Sequence, residues 1–258
     1  MNFFAVFNTE TGKENFKSVF ENNKVVHVQH KFTTESKPDF YRSLAQTAGI
    51  PLIYEEDPVT GEIHVNKWTE IKYVPEKSSD SYKHSNKAQP LHTDYGYFAF
   101  EIYSAFFYCS AQAQFGGATT FIDADRIVDI LEWEDKPLLN ELQHRKIKFG
   151  RQGNLVAHNE DYILKKDNIG WKINWNYYRA LNDVENKDLV ERFHSFLNNS
   201  VEKSGELLEL KLKVDEAVFF HDRRVLHGRN SFVGQRQLNK GGIAKELPKE
   251  ILQLIAAV

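Results

Sequence analysis

Apolar and polar positions alternate in short runs through most of this chain, at the spacing of strands more often than of helices. Phe3 to Phe7 predicts a first strand, Glu14 to Asn22 a helix after the Thr11-Gly12 turn, and Val25 to Gln29 a second strand. Phe40, Leu44 and Ala48 then recur at helical spacing behind Pro38, and Gly49 stops that helix before Pro51. Between Asp57 and Asn86, turn signals at Asp57-Pro58 and Thr60-Gly61 alternate with short strands at Glu62 to Val65 and Trp68 to Val74. The polar run from Ser78 to Asn86 reads as a mobile loop, placed where a lid would be useful.

Further strands are predicted at Ala99 to Tyr103, Ala105 to Ala111 and, after the Gly116-Gly117 turn, Thr119 to Ile122. Helices follow from Asp123 or Asp125 to Trp133 and from Pro137 to Gln143. Lys146 to Arg151, Tyr162 to Lys165 and Trp171 to Tyr178 read as strands, and Asp188 to Lys203 as a helix. Leu207 to Val214 and Ala217 to His227 complete the β elements. This is a mainly β pattern with flanking helices, an α+β chain, and it fits a single domain over residues 1–258.

Composition adds little to exclude that picture. Apolar residues make up 41% and aromatics 13%, enough for a large core, and the net charge of -3 gives no electrostatic reason to expect nucleic acid or an anionic membrane as partner. The longest aromatic-rich stretch, Tyr97 to Cys109, is interrupted by Glu101 and Ser104 and falls short of the ~20 residues of a spanning helix. The N-terminal apolar run is too short for a signal peptide core. One cysteine, Cys109, has no intramolecular disulfide partner and reads as a buried structural thiol. Together these features predict a soluble, cytoplasmic protein.

Candidate chemistry starts at Pro90-Leu91-His92-Thr93-Asp94. On a strand, positions i and i+2 leave by the same face, so His92 and Asp94 can close on one metal ion. In the late segment Phe219 to Arg229, strand parity puts His227 with Phe219, His221, Arg223 and Val225, which makes His227 a plausible third ligand. Two imidazoles and one carboxylate hold one face of an octahedral ion and leave three positions open, the arrangement of non-haem Fe(II) oxygenases.

Three motifs in order, Pro90-Leu91-His92-Thr93-Asp94, Gly116-Gly117-Ala118-Thr119, and Arg223 to Arg229 followed by Arg236-Gln237-Leu238, resemble the taurine dioxygenase and clavaminate synthase group of Fe(II)/2-oxoglutarate oxygenases. The resemblance covers roughly Ala88 to Gly242. It implies a distorted jelly roll, the cupin-like double-stranded β-helix, with Fe(II) held by His92, Asp94 and His227. It also implies that Thr119 and Arg236 meet the distal carboxylate of 2-oxoglutarate; O2 is the second cosubstrate. Thr120 is the alternative to Thr119 if the register shifts by one. Arg229 competes with Arg236 but follows the last ligand by only two residues. Relatives often carry Asp-Asn where His221-Asp222 stand, so His221 is either a substrate contact or a hydrogen-bonded core residue. Asn239-Lys240-Gly241-Gly242 puts a turn where relatives often continue a strand.

The implied reaction is hydroxylation of an unactivated C–H bond with release of succinate and CO2. With Asp94 present, halogenation is disfavoured. Desaturation, cyclisation or epimerisation by the same oxidant is the alternative outcome, and a redox-inactive metal-binding protein the alternative class. Tyr95, Tyr97 and Phe98 are candidates for the substrate wall. Asn176 and Arg179, in Trp175-Asn176-Tyr177-Tyr178-Arg179, suit a free amino acid or related carboxylate, and Arg223 is a further candidate for a substrate anion. Oligomeric state does not follow from the sequence.

Overall fold

The computed structural model describes residues 1–32, 34–56, 63–78, 82–150, 158–180, 186–249 and 251. Eleven strands form two main sheets: β1 (Asn2–Asn8), β2 (Asn23–Gln29), β3 (Ile50–Leu52), β4 (Thr69–Lys72), β5 (Gln89–His92), β6 (Ile102–Ala111), β7 (Thr119–Asp123), β8 (Leu208–Leu210), β9 (Ala217–Phe220), β10 (Val225–Arg229) and β11 (Gln237–Ala244). The larger sheet has the order β1-β2-β9-β6-β11-β3, with β4 also paired to β11, and the smaller the order β8-β7-β10-β5. The β1–β2 pair is parallel and the other pairs in both sheets are antiparallel. That one parallel pair needs a crossover, which α1 (Phe16–Asn22) supplies, as the β-α-β opening predicts.

The central strands of the larger sheet, β2, β9 and β6, are buried on both faces. On its outer side Phe16 and Phe20 of α1 and Phe40, Tyr41 and Leu44 of α2 (Lys37–Ala48) pack on Val26, Phe106 and Phe219. On its inner side Phe107 and Phe220 meet Phe121 and Leu226 of the smaller sheet. Phe121 and Phe220 lie 5.2 Å apart between ring centroids, and Phe107 and His227 5.7 Å, so the metal-site histidine is cut into the seam between the sheets. Helices α3 (Ala124–Glu134), α4 (Lys136–His144) and α5 (Lys187–Phe196) cover the far side of this core. The carboxylates of Asp123 and Asp135 cap α3 and α4 by accepting from the Asp125 and Leu138 N–H groups.

Several sequence-based boundaries move. Ala217 to His227 is two strands, broken by the turn at 221–224, so the single parity that linked His227 to His221 and Arg223 does not exist. Residues 94–101 are turns and bends instead of a strand from Ala99, and Trp171 to Tyr178 keeps strand only over Trp171–Ile173. The long helix from Asp188 ends at Phe196 and continues as a π turn over Leu197–Val201. The turns expected at Asp57-Pro58 and Thr60-Gly61, and Arg151, lie outside the described residues.

The turn expected at Asn239 to Gly242 is instead the middle of β11. Its two glycines are there for closeness: a Cβ on Gly241 would stand 2.5 Å from Cζ of Phe106, and one on Gly242 3.0 Å from the Tyr95 hydroxyl. Gly116 and Gly117, by contrast, do turn the chain, with φ of 66° and 75°.

Candidate metal and cosubstrate site

His92 and His227 face each other across the β5–β10 ladder, directly paired, with ring centroids 4.2 Å apart. Both rings are buried, and one donor atom from each of His92, Asp94 and His227 lies within 4.8 Å of the others. Nε2 of His92 is 3.6 Å from Oδ1 of Asp94, and Nε2 of His227 is 3.5 Å from Oδ2. Metal–ligand bonds of about 2.1 Å at right angles put neighbouring donors about 3 Å apart, so small side-chain shifts would close this set on one ion.

Asp94 reaches its place by a different route from strand parity. β5 ends at His92, and Asp94 sits in the turn that follows. Asp222, fully buried, makes that turn: its two carboxylate oxygens accept the Asp94 N–H at 2.8 Å and the Tyr95 N–H at 3.0 Å. From the other side Thr93 is locked to Trp175, its N–H donating to the Trp175 carbonyl at 2.6 Å and its hydroxyl accepting the Trp175 N–H at 3.2 Å. The triplet is therefore held on both flanks by segments distant in sequence.

Donor chemistry fits a divalent metal. The His92 Nδ1–H donates to the Pro90 carbonyl at 2.9 Å, which leaves Nε2 with the free lone pair, capped by the Gln89 amide at 3.1 Å. Oδ2 of Asp94 and Nδ1 of His227 are buried without a hydrogen-bond partner among the described residues. An orphaned carboxylate oxygen is costly unless a cation meets it. Burial opposes the charge on Asp94, yet the Lys240 ammonium beside it holds its pKa well below the usual carboxylate range. Burial, with His92 beside it, pushes His227 well below the usual imidazole range, so it is neutral and able to ligate.

These donors open onto a cavity of about 760 Å³, which Thr119, Arg236, Tyr97, Asn176 and Arg179 also line. Arg236 is buried; its Nε donates to the Gly117 carbonyl at 3.0 Å and one Nη to the Thr119 hydroxyl at 3.4 Å. The Gly116-Gly117 turn thus sets both partners. Arg229 borders the same cavity, but its guanidinium donates to the carbonyls of Tyr82, Ser85 and Lys87. It thereby pins the described part of the segment expected to be a mobile lid. Thr120 is absent from the cavity wall, and Gly228 packs against its hydroxyl.

Three candidate substrate contacts are elsewhere, the first being Phe98, which is buried in the core against Tyr97 and absent from the cavity wall. Tyr95 is buried beside Gly242, and Arg223 stands in the 221–224 turn; neither lines the cavity among the described residues. Asn176 lines it, but its amide donates to the Thr93 carbonyl at 3.3 Å. His221 stacks on Phe20 at 4.4 Å and donates to its backbone carbonyl, away from the cavity. Lys240 is a residue that sequence reasoning missed: it lines the cavity and its ammonium lies 2.7 Å from Oδ1 of Asp94. Its signal was the i, i+2 spacing with Leu238, a second cavity residue on the same face of β11.

Residues 4–241 match the family described as "Taurine catabolism dioxygenase TauD, TfdA family". The chain belongs to that family. It is 28% identical over 166 residues to the mitochondrial trimethyllysine dioxygenase of Bos taurus, covering 57% of this chain and 38% of that protein. It thus spans well under half the length of that curated relative. Among solved structures, asparagine oxygenase in complex with Fe(II), 2S,3S-3-hydroxyasparagine and succinate superposes with a TM-score of 0.71 at 8% identity, over 92% of this chain and 80% of the other. The non-heme iron oxygenase OrfP in complex with Fe and alpha-ketoglutaric acid does so with 0.67 at 13% identity, over 94% and 82%. At these identities the structural likeness is one of fold. No helix of the described residues is long and apolar enough to cross a membrane.

Proposed function

We propose that this chain is an Fe(II)- and 2-oxoglutarate-dependent dioxygenase that hydroxylates a C–H bond of a small carboxylate-bearing metabolite, a free amino acid or close relative. It would act as a single jelly-roll domain in a reducing cytoplasm, where buried Cys109 stays a thiol. The observation that carries the reading is the convergence on one cavity of the His92, Asp94 and His227 donors with the Arg236–Thr119 pair. His92, Asp94 and His227 would hold the iron. When bound, the iron and 2-oxoglutarate together activate O2, with release of succinate and CO2, and supply the oxidant that attacks the substrate C–H bond.

The chain's own residues bind and orient. Among the described residues Arg236 gives N–H groups only to Gly117 and Thr119, and a planar guanidinium holds a carboxylate through parallel charge-assisted bonds. The Thr119 hydroxyl, already polarised by Arg236, can donate to the same carboxylate. Phe107 and Leu238 add apolar surface to the wall of the same cavity, where they would help to exclude water from the cosubstrate.

Substrate class follows from charge. Asp94 is the only acidic residue on the cavity wall among the described residues, so a cationic substrate head has no free carboxylate to meet there. Arg179 is half-buried on the wall, its guanidinium 5.0 Å above the Tyr97 ring, and pairs with no carboxylate of the described residues. It is the anchor proposed for the substrate carboxylate, with Tyr97 holding it in place. The asparagine and arginine derivatives bound by the structural neighbours carry such a carboxylate, which supports the reading.

The test is a panel of amino acids and simple carboxylates, scored by succinate formed above the level without substrate. A product heavier by one oxygen marks hydroxylation; one lighter by two hydrogens marks desaturation. If Arg179→Ala leaves KM for the best substrate unchanged, the anchor is misassigned.

A further inference from the structure

Beyond its effect on the charge of Asp94, Lys240 has no part in the roles assigned so far, yet it is built into a strand paired on both sides. It lies within β11, its backbone opposite Phe107 of β6 on one side and Thr69 of β4 on the other. Its side chain is 16% exposed, and the ammonium sits 4.6 Å over the Tyr95 ring while donating to Oδ1 of Asp94. The same carboxylate therefore has one oxygen, Oδ1, paired with a cation although it also stands 3.6 Å from Nε2 of His92, and one, Oδ2, buried beside His227 with no hydrogen-bond partner among the described residues.

That asymmetry has a consequence for coordination. A carboxylate free to rotate can give both oxygens to a metal and take two of its positions. A chelating 2-oxoglutarate and O2 need three open positions, which two imidazoles and a one-oxygen carboxylate leave. We propose that Lys240 is a positioning residue that restricts Asp94 to one-oxygen coordination through Oδ2 and so keeps the third position open. The proposal rests on the Fe(II)/2-oxoglutarate reading. It carries a cost with a definite sign, because an ammonium beside the carboxylate repels a dication and weakens metal binding.

Replacing Lys240 should therefore separate two affinities that an ordinary structural lesion would lower together. Lys240→Met keeps the aliphatic stem over Tyr95 and removes the charge and the donor. Titration of the apo chain with Co(II), followed by its visible absorption, should show metal binding tightened by about ten-fold. Anaerobic calorimetry of 2-oxoglutarate into the Fe(II)-loaded chain should show the cosubstrate weakened by a similar factor. Lys240→Arg, which retains charge and donor, should return both values toward wild type. Unchanged or weaker metal binding in Lys240→Met overturns the proposal, as does tighter metal binding with unchanged 2-oxoglutarate affinity. A wild-type chain that binds no 2-oxoglutarate with Fe(II) overturns instead the reading on which the proposal rests.

Discussion

Truncating Arg236 to alanine isolates the cosubstrate half of the site. The residue is 6% exposed, and burial, then the charge of Arg229, pushes its pKa down to about 9, still charged at neutral pH. An incoming carboxylate relieves that tension, and two of the five N–H groups are already spent on Gly117 and Thr119, leaving three for the ligand. Removing one partner of a buried, hydrogen-bonded charge pair costs about 2–5 kcal/mol. Taking about 3 kcal/mol, Arg236→Ala should weaken 2-oxoglutarate by about 100-fold. The assay is an anaerobic titration of 2-oxoglutarate into the Fe(II)-loaded chain, read from the metal-to-ligand charge-transfer band. Arg229→Ala is the control: it deprives three backbone carbonyls of their donor, so it should lower thermal stability while changing cosubstrate affinity by no more than about three-fold. If Arg236→Ala binds within about three-fold of wild type, or Arg229→Ala is the weaker binder, the assignment of the cosubstrate arginine is wrong.

Two further predictions concern the frame around the site. Gly241→Ala would press a methyl into the fully buried Phe106 ring at the centre of the larger sheet, and should cost about 1–3 kcal/mol, read as a lower denaturant midpoint with unchanged slope. His221 is pushed down to about 4, first by burial against Phe20, so the folded chain keeps it neutral where the unfolded chain binds a proton. Its contribution is fully present above pH 6.5 and is lost as pH falls toward 4, by about 2 kcal/mol after allowing for the partly exposed ring edge. His221→Phe should flatten that part of the stability profile, and an unchanged profile would remove His221 as its source.

What could be read from the sequence was local. The β-α-β opening, the helix behind Pro38 and the Gly116-Gly117 turn follow from spacing and backbone chemistry, and the structure has them. The structure also brings His92, Asp94 and His227 together, as the resemblance implies, although strand parity is not what gathers them. Strand parity does not bring Asp94 to the site: Asp222, 128 positions away, turns the chain there through two backbone N–H groups. Parity likewise failed to pair His227 with Arg223, because the 221–224 turn resets it. Gly241 and Gly242 suggested a turn because glycine permits one, whereas the demand here is for space under Phe106 and Tyr95, which only the packed sheets create. Lys240 was hidden by the same error, since a turn has no inner face for it to occupy.

If His92, Asp94 and His227 bind Fe(II), they leave open positions that 2-oxoglutarate chelates. Anaerobic mixing of the apo chain with Fe(II) and 2-oxoglutarate tests it directly. A metal-to-ligand charge-transfer band should appear, saturate at one iron per chain and be absent in His92→Ala. A wild-type chain with bound iron and no such band, or a band that survives His92→Ala at full strength, would contradict it.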